Sequence, residues 1–209
     1  MYTIEHDNKT INMVNDWTEI TIGQFNELQQ ILSADIPEDY RTLNCISLLT
    51  NESTEFIGSL PLTKFQILCN QLNFITLTIP KVKHKTLYII NGRKYNLRCD
   101  VSQISTAQYI DYQSYIKEND IIKLLSLWLI PEGHSYNDGY DIQRVMMDCN
   151  DMLFIDANAV GFFLRLQLAA YILILKDSSK KKMKKTKRSK KEITEMETHY
   201  NNMVSCLLY

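Results

Sequence analysis

Apolar side chains recur at intervals of three and four residues along most of this chain. Thr21 and Gln24 have the spacing of a helix capping box, and the apolar positions after them predict a helix that ends before Pro37. Further helices are predicted over residues 40–49, after Pro61, from Ser105, over 121–130, from 142 to 149 and over 158–175.

Strand-like sequence interrupts the helical pattern. Residues 87–97 surround Asn91-Gly92, the preferred pair for a two-residue type I′ turn, and predict a central β-hairpin. The hairpin is either purely structural or presents Arg93 and Lys94 to a partner. Residues 2–6 and 9–14 predict a second, N-terminal hairpin in the same way. The expected fold class is therefore α+β and mainly α: a helical body with a central hairpin over 87–97.

Two segments of the chain resemble each other. Residues 20–28 and 104–112 share Ile, Ser or Thr, a small residue, Gln and an aromatic residue at the same spacing. If they are two related strand-then-helix modules, Gln24 and Gln108 each return a side-chain hydrogen bond to the capping residue, Thr21 or Ser105. Convergence of two capped helices is the alternative that the sequence leaves open.

A basic stretch near the C-terminus changes the electrostatics of the chain. The chain has 23 Lys and Arg against 24 Asp and Glu, a net charge of -1. Without the nine basic residues of 180–191, 14 basic residues face 24 acidic ones, a net of -10. Such a block is typical of a solvated linker, or of a surface that contacts a polyanion, a membrane or an acidic protein. The nine are Lys180, Lys181, Lys182, Lys184, Lys185, Lys187, Arg188, Lys190 and Lys191.

The last segment has an apolar face with no partner assigned by the sequence. Its apolar residues at helical spacing are Ile193, Met196, Tyr200, Met203 and Leu207. We expect an amphipathic docking helix over 192–209, joined to the body by a flexible basic linker over 178–191. The body is then expected to divide into two modules, 1–80 and 81–177, each a hairpin followed by helices.

The sequence contains no motif of known catalytic chemistry. The four His lie in separate segments, the five Cys are without CxxC spacing, and the glycines form no phosphate loop. We therefore expect no enzyme activity, no cofactor and no metal site. The apolar run 159–175 is shorter than the ~20 residues that span a bilayer and contains Arg165, which favours a buried helix over a membrane segment.

Four segments between residues 85 and 175 carry a resemblance to a known family. They are Asn-Gly-Arg-Lys-Tyr at 91–95, Ile-Ser-Thr-Ala-Gln-Tyr-Ile-Asp-Tyr at 104–112, the run from Leu-Trp-Leu-Ile-Pro to Asp-Gly-Tyr-Asp at 127–141, and Gly-Phe-Phe at 161–163. This part of the chain resembles small virion-morphogenesis proteins of tailed phages of Bacteroidetes hosts, the crAss-like group especially. The resemblance implies a non-enzymatic virion or assembly component, and it transfers no functional residues.

We expect a protein of the virion or the host cytoplasm that binds other phage structural proteins or a second copy of itself. Its role would be that of a connector ring, a cargo protein or a tail-assembly protein. One alternative is a nucleic-acid-associated protein whose Lys-rich arm binds packaged DNA. Another is a peripheral membrane protein that uses the 159–175 helix together with the arm. Salt-dependent DNA retention, liposome flotation and co-purification with portal or tail proteins distinguish the three.

Overall fold

Helices make up most of the fold, and two small antiparallel sheets accompany them, which confirms the predicted mainly α, α+β class. The computed structural model describes residues 1–98, 104–118, 120–136, 138–185 and 190–208. In chain order the elements are β1 (Tyr2–His6), β2 (Lys9–Met13), α1 (Ile22–Ser33), α2 (Glu38–Thr50), α3 (Thr54–Gly58), α4 (Leu62–Gln71), a 3-10 helix (Leu72–Thr76), β3 (Leu87–Ile90), β4 (Arg93–Leu97), α5 (Thr106–Glu118), α6 (Ile121–Ser126), β5 (Leu129–Pro131), α7 (Ile142–Asn150), α8 (Phe154–Lys185) and α9 (Lys190–Leu208).

Both predicted hairpins are present. β1 pairs with β2 from Tyr2 opposite Met13 to His6 opposite Lys9. The second sheet has the order β3-β4-β5. Asn91 and Gly92, at φ 50° and 74°, occupy the left-handed conformations that a type I′ turn requires, as their sequence predicts.

The chain folds into two compact units that interleave along the sequence. The first contains Met1–Lys83, Ile90–Gly92 and Ile142–Asn158, and the second contains His84–Ile89, Arg93–Asp141 and Ala159–Tyr209. This division differs from the expected modules at 1–80 and 81–177, because α7 and the start of α8 belong to the first unit.

Backbone pairing between distant segments closes the first unit. The Ile22 amide donates to the Met152 carbonyl at 2.9 Å, and the Phe154 amide donates to the Ile20 carbonyl at 2.7 Å. Gly23 lies in this region, and a Cβ there would come within 2.6 Å of the Asn150 side chain. Any larger residue where α1 begins would therefore displace the Asn150 side chain.

An aromatic cluster occupies the middle of the first unit's core. Phe25 and Phe154 stack with ring centroids 3.8 Å apart, and Trp17 contacts both rings as well as Phe74. The Trp17 indole N–H donates to the Leu77 carbonyl at 3.0 Å, so the ring's only polar atom is satisfied. Buried aliphatic residues surround the cluster: Ile11, Met13, Ile20, Leu28, Ile46, Leu49, Ile57 and Leu68.

The second unit has its own core around Trp128, which is 1% exposed. Tyr112 packs edge-on against this indole with ring centroids 6.2 Å apart. The Gln108 amide donates to the buried Leu127 carbonyl at 2.7 Å. Leu125, Leu129 and Tyr95 complete this core.

Two predicted helices have different bounds in the structure. The apolar run 121–130 divides into α6 and β5, because residues 129–131 pair with β4 in the second sheet. The helix predicted over 158–175 extends from Phe154 to Lys185, so residues 178–185 of the expected basic linker are helical. Lysine is a good helix former, and contacts with α9, described below, offset the charge repulsion in this segment.

The two similar segments differ in their side-chain hydrogen bonds. Thr21 and Gln24 form the complete capping box, with both reciprocal bonds present. In the second segment the backbone N–H of Gln108 donates to Ser105 Oγ at 3.1 Å. The Gln108 side chain does not return a bond to Ser105 but donates to the Leu127 carbonyl. The expectation of equivalent glutamine roles is therefore wrong: Gln108 is buried and serves the core.

This difference gives a test by substitution. Gln24→Ala removes one hydrogen bond at a helix end and should cost about 0.5–1 kcal/mol of stability. Gln108→Ala leaves the buried Leu127 carbonyl without its side-chain donor and should cost about 1–3 kcal/mol. Urea unfolding measures both, and Gln113→Ala, at an exposed position of α5, serves as the control. Equal costs for Gln24→Ala and Gln108→Ala would contradict the buried role of Gln108.

Candidate protein-interaction surfaces

The C-terminal helices α8 and α9 form an antiparallel helical hairpin. Polar side-chain pairs join them in the described part of the chain: Lys176 Nζ donates to Asn201 Oδ1 at 2.9 Å, Ser179 Oγ lies 3.4 Å from the Tyr200 hydroxyl, and Lys180 Nζ lies 2.5 Å from Glu197 Oε1. The hydrogen bond with Glu197 raises the pKa of Lys180. Polar groups of α8 therefore contribute to its contact with α9.

The expected docking helix thus has a partner within its own chain. Ile193, Met196 and Tyr200 are half-buried on the face of α9 that also carries Glu197. The side chains of Met203 and Leu207 lie outside the described part of the chain. That α9 docks on another molecule stays a prediction.

The basic residues of 180–191 divide into two groups where the structure describes them. Lys180 is half-buried against α9, whereas Lys181, Lys182 and Lys191 are exposed. Lys187 and Arg188 lie outside the described residues, as do the side chains of Lys184, Lys185 and Lys190. Lys181 and Lys182 are therefore exposed lysines of α8 within this basic stretch.

A groove of about 450 Å³ opens on the first unit between α2, α3 and α4. Ile57 and Leu60 are buried at its base, whereas Tyr40 and Leu62 at its mouth are 64% and 68% exposed. Leu43, Gly58, Phe65 and Asp39 complete the lining. A concave surface with large exposed apolar side chains is typical of binding sites for proteins or ligands.

Asp39 is the charged side chain that lines this groove, and its neighbour Glu38 is exposed in the first turn of α2. Arg41 and Lys64 lie close to the lining residues in sequence, but neither lines the groove. Arg41 Nη2 donates to the Ala34 and Ile36 carbonyls, and Lys64 Nζ donates to the Glu5 carbonyl. The groove therefore favours a partner that carries an apolar group beside a positive charge.

An exposed aromatic side chain, Phe162, interrupts the buried pattern near the start of α8. Phe162 is 64% exposed, while Val160 and Leu164 on either side of it are buried. Asn158 and Arg165 are also exposed, at i-4 and i+3 from Phe162. These three residues form one face of the helix, which we call the Phe162 face.

Polar contacts hold the loop between β5 and α7. The Tyr136 hydroxyl donates to the Asp111 carboxylate, and the His134 ring lies 2.8 Å from Asp138 Oδ1. Burial, followed by this bond to Asp111, raises the pKa of Tyr136 well above its usual value. Burial also raises the pKa of Tyr140 to about 12, so both phenols stay neutral at physiological pH. The loop tyrosines serve packing here.

The central hairpin's turn is anchored rather than presented freely. The Asn91 side-chain amide donates to Asp148 at 3.0 Å and to Asp151 at 2.7 Å, and both carboxylates belong to the first unit. Lys94 lies 3.5 Å from Glu132. A partner role for Arg93 and Lys94 stays a prediction.

Over the described ranges, no group of three or more His, Cys, Asp or Glu residues could hold a metal ion. No helix in the same ranges has both the length and the apolar character to cross a membrane. Comparison with protein-family models, curated proteins and solved structures found no match. The candidate interaction surfaces described above are the groove, the Phe162 face and the exposed lysines of α8.

The helical hairpin can be tested with neighbouring lysines of α8. Lys180→Glu places a carboxylate against Glu197 and should loosen α9, whereas Lys181→Glu changes an exposed position and should not. Hydrogen exchange of the α9 amides measures the difference, with faster exchange expected only for Lys180→Glu. Equal exchange in the two variants would show that the Lys180–Glu197 pair does not hold the helices together.

Proposed function

We propose that this chain is a non-enzymatic bacteriophage virion or assembly protein that acts through protein–protein contacts. The phage role rests on the resemblance of residues 85–175 to virion-morphogenesis proteins. The mode of action rests on the groove between α2, α3 and α4, where Tyr40 and Leu62 expose most of their apolar surface. Tyrosine at such a position combines apolar area with a polar tip, a composition enriched in protein interfaces.

The exposure of two large side chains, Tyr40 and Leu62, in one concavity suggests that a partner covers them. Single exposed apolar residues are common on protein surfaces, but Tyr40 and Leu62 line one concavity together with the buried Ile57 and Leu60. A partner side chain inserted there would be largely removed from water. Burial of that kind is the main favourable contribution to protein association.

Co-expression with connector and tail proteins encoded in the same phage genome tests this function. The wild-type chain should co-purify with at least one of them. Leu62→Ser should reduce the recovered partner by about tenfold, because it removes an apolar contact at the mouth of the groove. Ile67→Ser is the control, because Ile67 is an exposed residue of α4 that does not line the groove.

Two outcomes would contradict the proposal. If no virion or assembly protein co-purifies with the wild type, the phage assembly role is wrong. If Leu62→Ser and Ile67→Ser retain the partner equally, the groove is not the contact surface.

A second candidate function, binding of a polyanion such as packaged DNA, is favoured by the exposure of Lys181 and Lys182 within the basic stretch of α8. Contacts with phosphates release counterions, so such binding weakens steeply as salt increases. Lys191, on α9, is also exposed, but its Nζ lies 3.9 Å from Glu195 Oε1.

Retention on double-stranded DNA across a salt series measures this candidate. The double variant Lys181→Gln/Lys182→Gln should reduce the slope of log affinity against log salt concentration by about 2, the contribution of two phosphate contacts. Lys117→Gln, a substitution on α5 outside this surface, is the control. Unchanged salt dependence in the double variant would exclude these lysines as the DNA contact.

A further inference from the structure

We propose that the groove of one copy binds the Phe162 face of a second copy, so that the protein associates with itself. This inference rests on the proposed function, because it takes the groove to be a protein-binding surface, and it names the occupant. The acceptor is the groove beside Asp39, with Tyr40 and Leu62 at its mouth. The donor is Phe162, with Arg165 one turn further along α8.

The apolar parts of the two surfaces match in kind. Phe162 exposes 64% of its surface on a helix whose neighbouring residues Val160 and Leu164 are buried. The groove is an open concavity of about 450 Å³ with apolar side chains among its lining residues. An aromatic anchor from a helix that enters an apolar groove is a recurring mode of recognition.

The charges also match. The Phe162 face carries Arg165, and the groove is lined by Asp39 with Glu38 beside it. Aromatic residues and arginine together are the side chains most enriched at the energetic centres of interfaces. A second copy thus supplies the apolar group and adjacent positive charge that the groove favours.

The formal charges of the two units are opposite in sign. The first unit has 13 acidic residues against 6 basic ones, a net of -7, and the second unit has 11 against 17, a net of +6. Nine of these 17 basic residues belong to 180–191. Long-range attraction between a first unit and a second unit of different copies therefore acts mainly through that stretch and weakens as salt increases, whereas the contact at the groove depends on Arg165 and Asp39.

Sedimentation velocity of the purified full-length chain tests the proposal over a dilution series at two salt concentrations. The wild type should associate in a concentration-dependent way, and Phe162→Ser should weaken this association by about tenfold or more. Ile110→Ser is the matched control, because Ile110 is 61% exposed on α5 and belongs to the same unit. Circular dichroism melts check that each variant stays folded.

Charge reversal tests the pairing of Arg165 with Asp39. Arg165→Asp alone and Asp39→Arg alone should each weaken association, and the double variant should recover part of the loss. Mixing completes the test: Phe162→Ser keeps the groove, and Leu62→Asp keeps Phe162. Each should be monomeric alone, whereas together they should form a 1:1 complex.

Several results would overturn the inference. A monomeric wild type, association that survives Phe162→Ser, no recovery in the double variant, or no complex in the mixture would each do so. A monomeric wild type whose groove still captures a phage protein would leave the proposed function intact with a different occupant. Self-association without any phage partner would support this inference and contradict the proposed binding of other phage proteins.

Discussion

The backbone pairing between residues 20–22 and 152–154 is the constraint on which the rest of the first unit depends. It joins segments more than a hundred residues apart along the chain and places Phe154 in stacking contact with Phe25. The same pairing fixes where α8 begins. Because a helix repeats every 3.6 residues, side chains three and four positions apart lie on the same face of α8.

That register explains how an aromatic residue comes to be exposed on α8. Ala157, Val160 and Leu164 follow one another at intervals of three and four and are buried. Phe162 falls between them, on the other side of the helix, together with Arg165. Its exposure costs the free energy that burial of a large apolar side chain would provide, about 1.5–3 kcal/mol. A second molecule that covers Phe162 would recover this contribution.

Local features of the fold were predictable from the sequence because their chemistry is local. The capping box at Thr21 and the Asn91-Gly92 turn each depend on residues within a few positions of one another. β5 was not predictable in this way, because the apolar run at 121–130 fits a helix or a strand equally well. Residues 129–131 form a strand because they pair with β4, which lies about thirty residues earlier in the chain.

The candidate surfaces were harder to predict for a related reason. Leu62 has the same helical spacing as the other apolar residues of α4, so the sequence alone suggests that it is buried. The structure shows that it is exposed, because the first turn of α4 extends beyond the core. Phe162 lies in a continuous apolar run, where no periodicity separates a buried side chain from an exposed one. The charge of the basic stretch, by contrast, was evident from the sequence, but its helical packing against α9 depends on contacts with residues 197–201.

A self-contact between different surfaces limits the assemblies that this chain can form. The groove and the Phe162 face are not the same patch, so each copy carries one acceptor and one donor. If two copies engage both pairs at once, the result is a closed dimer. If they cannot, each added copy leaves one donor and one acceptor unoccupied, and growth stops only when a ring closes. A ring would agree with a connector role, whereas a closed dimer would favour a cargo or chaperone role, so the stoichiometry of the self-associated protein discriminates between the virion functions that the resemblance leaves open.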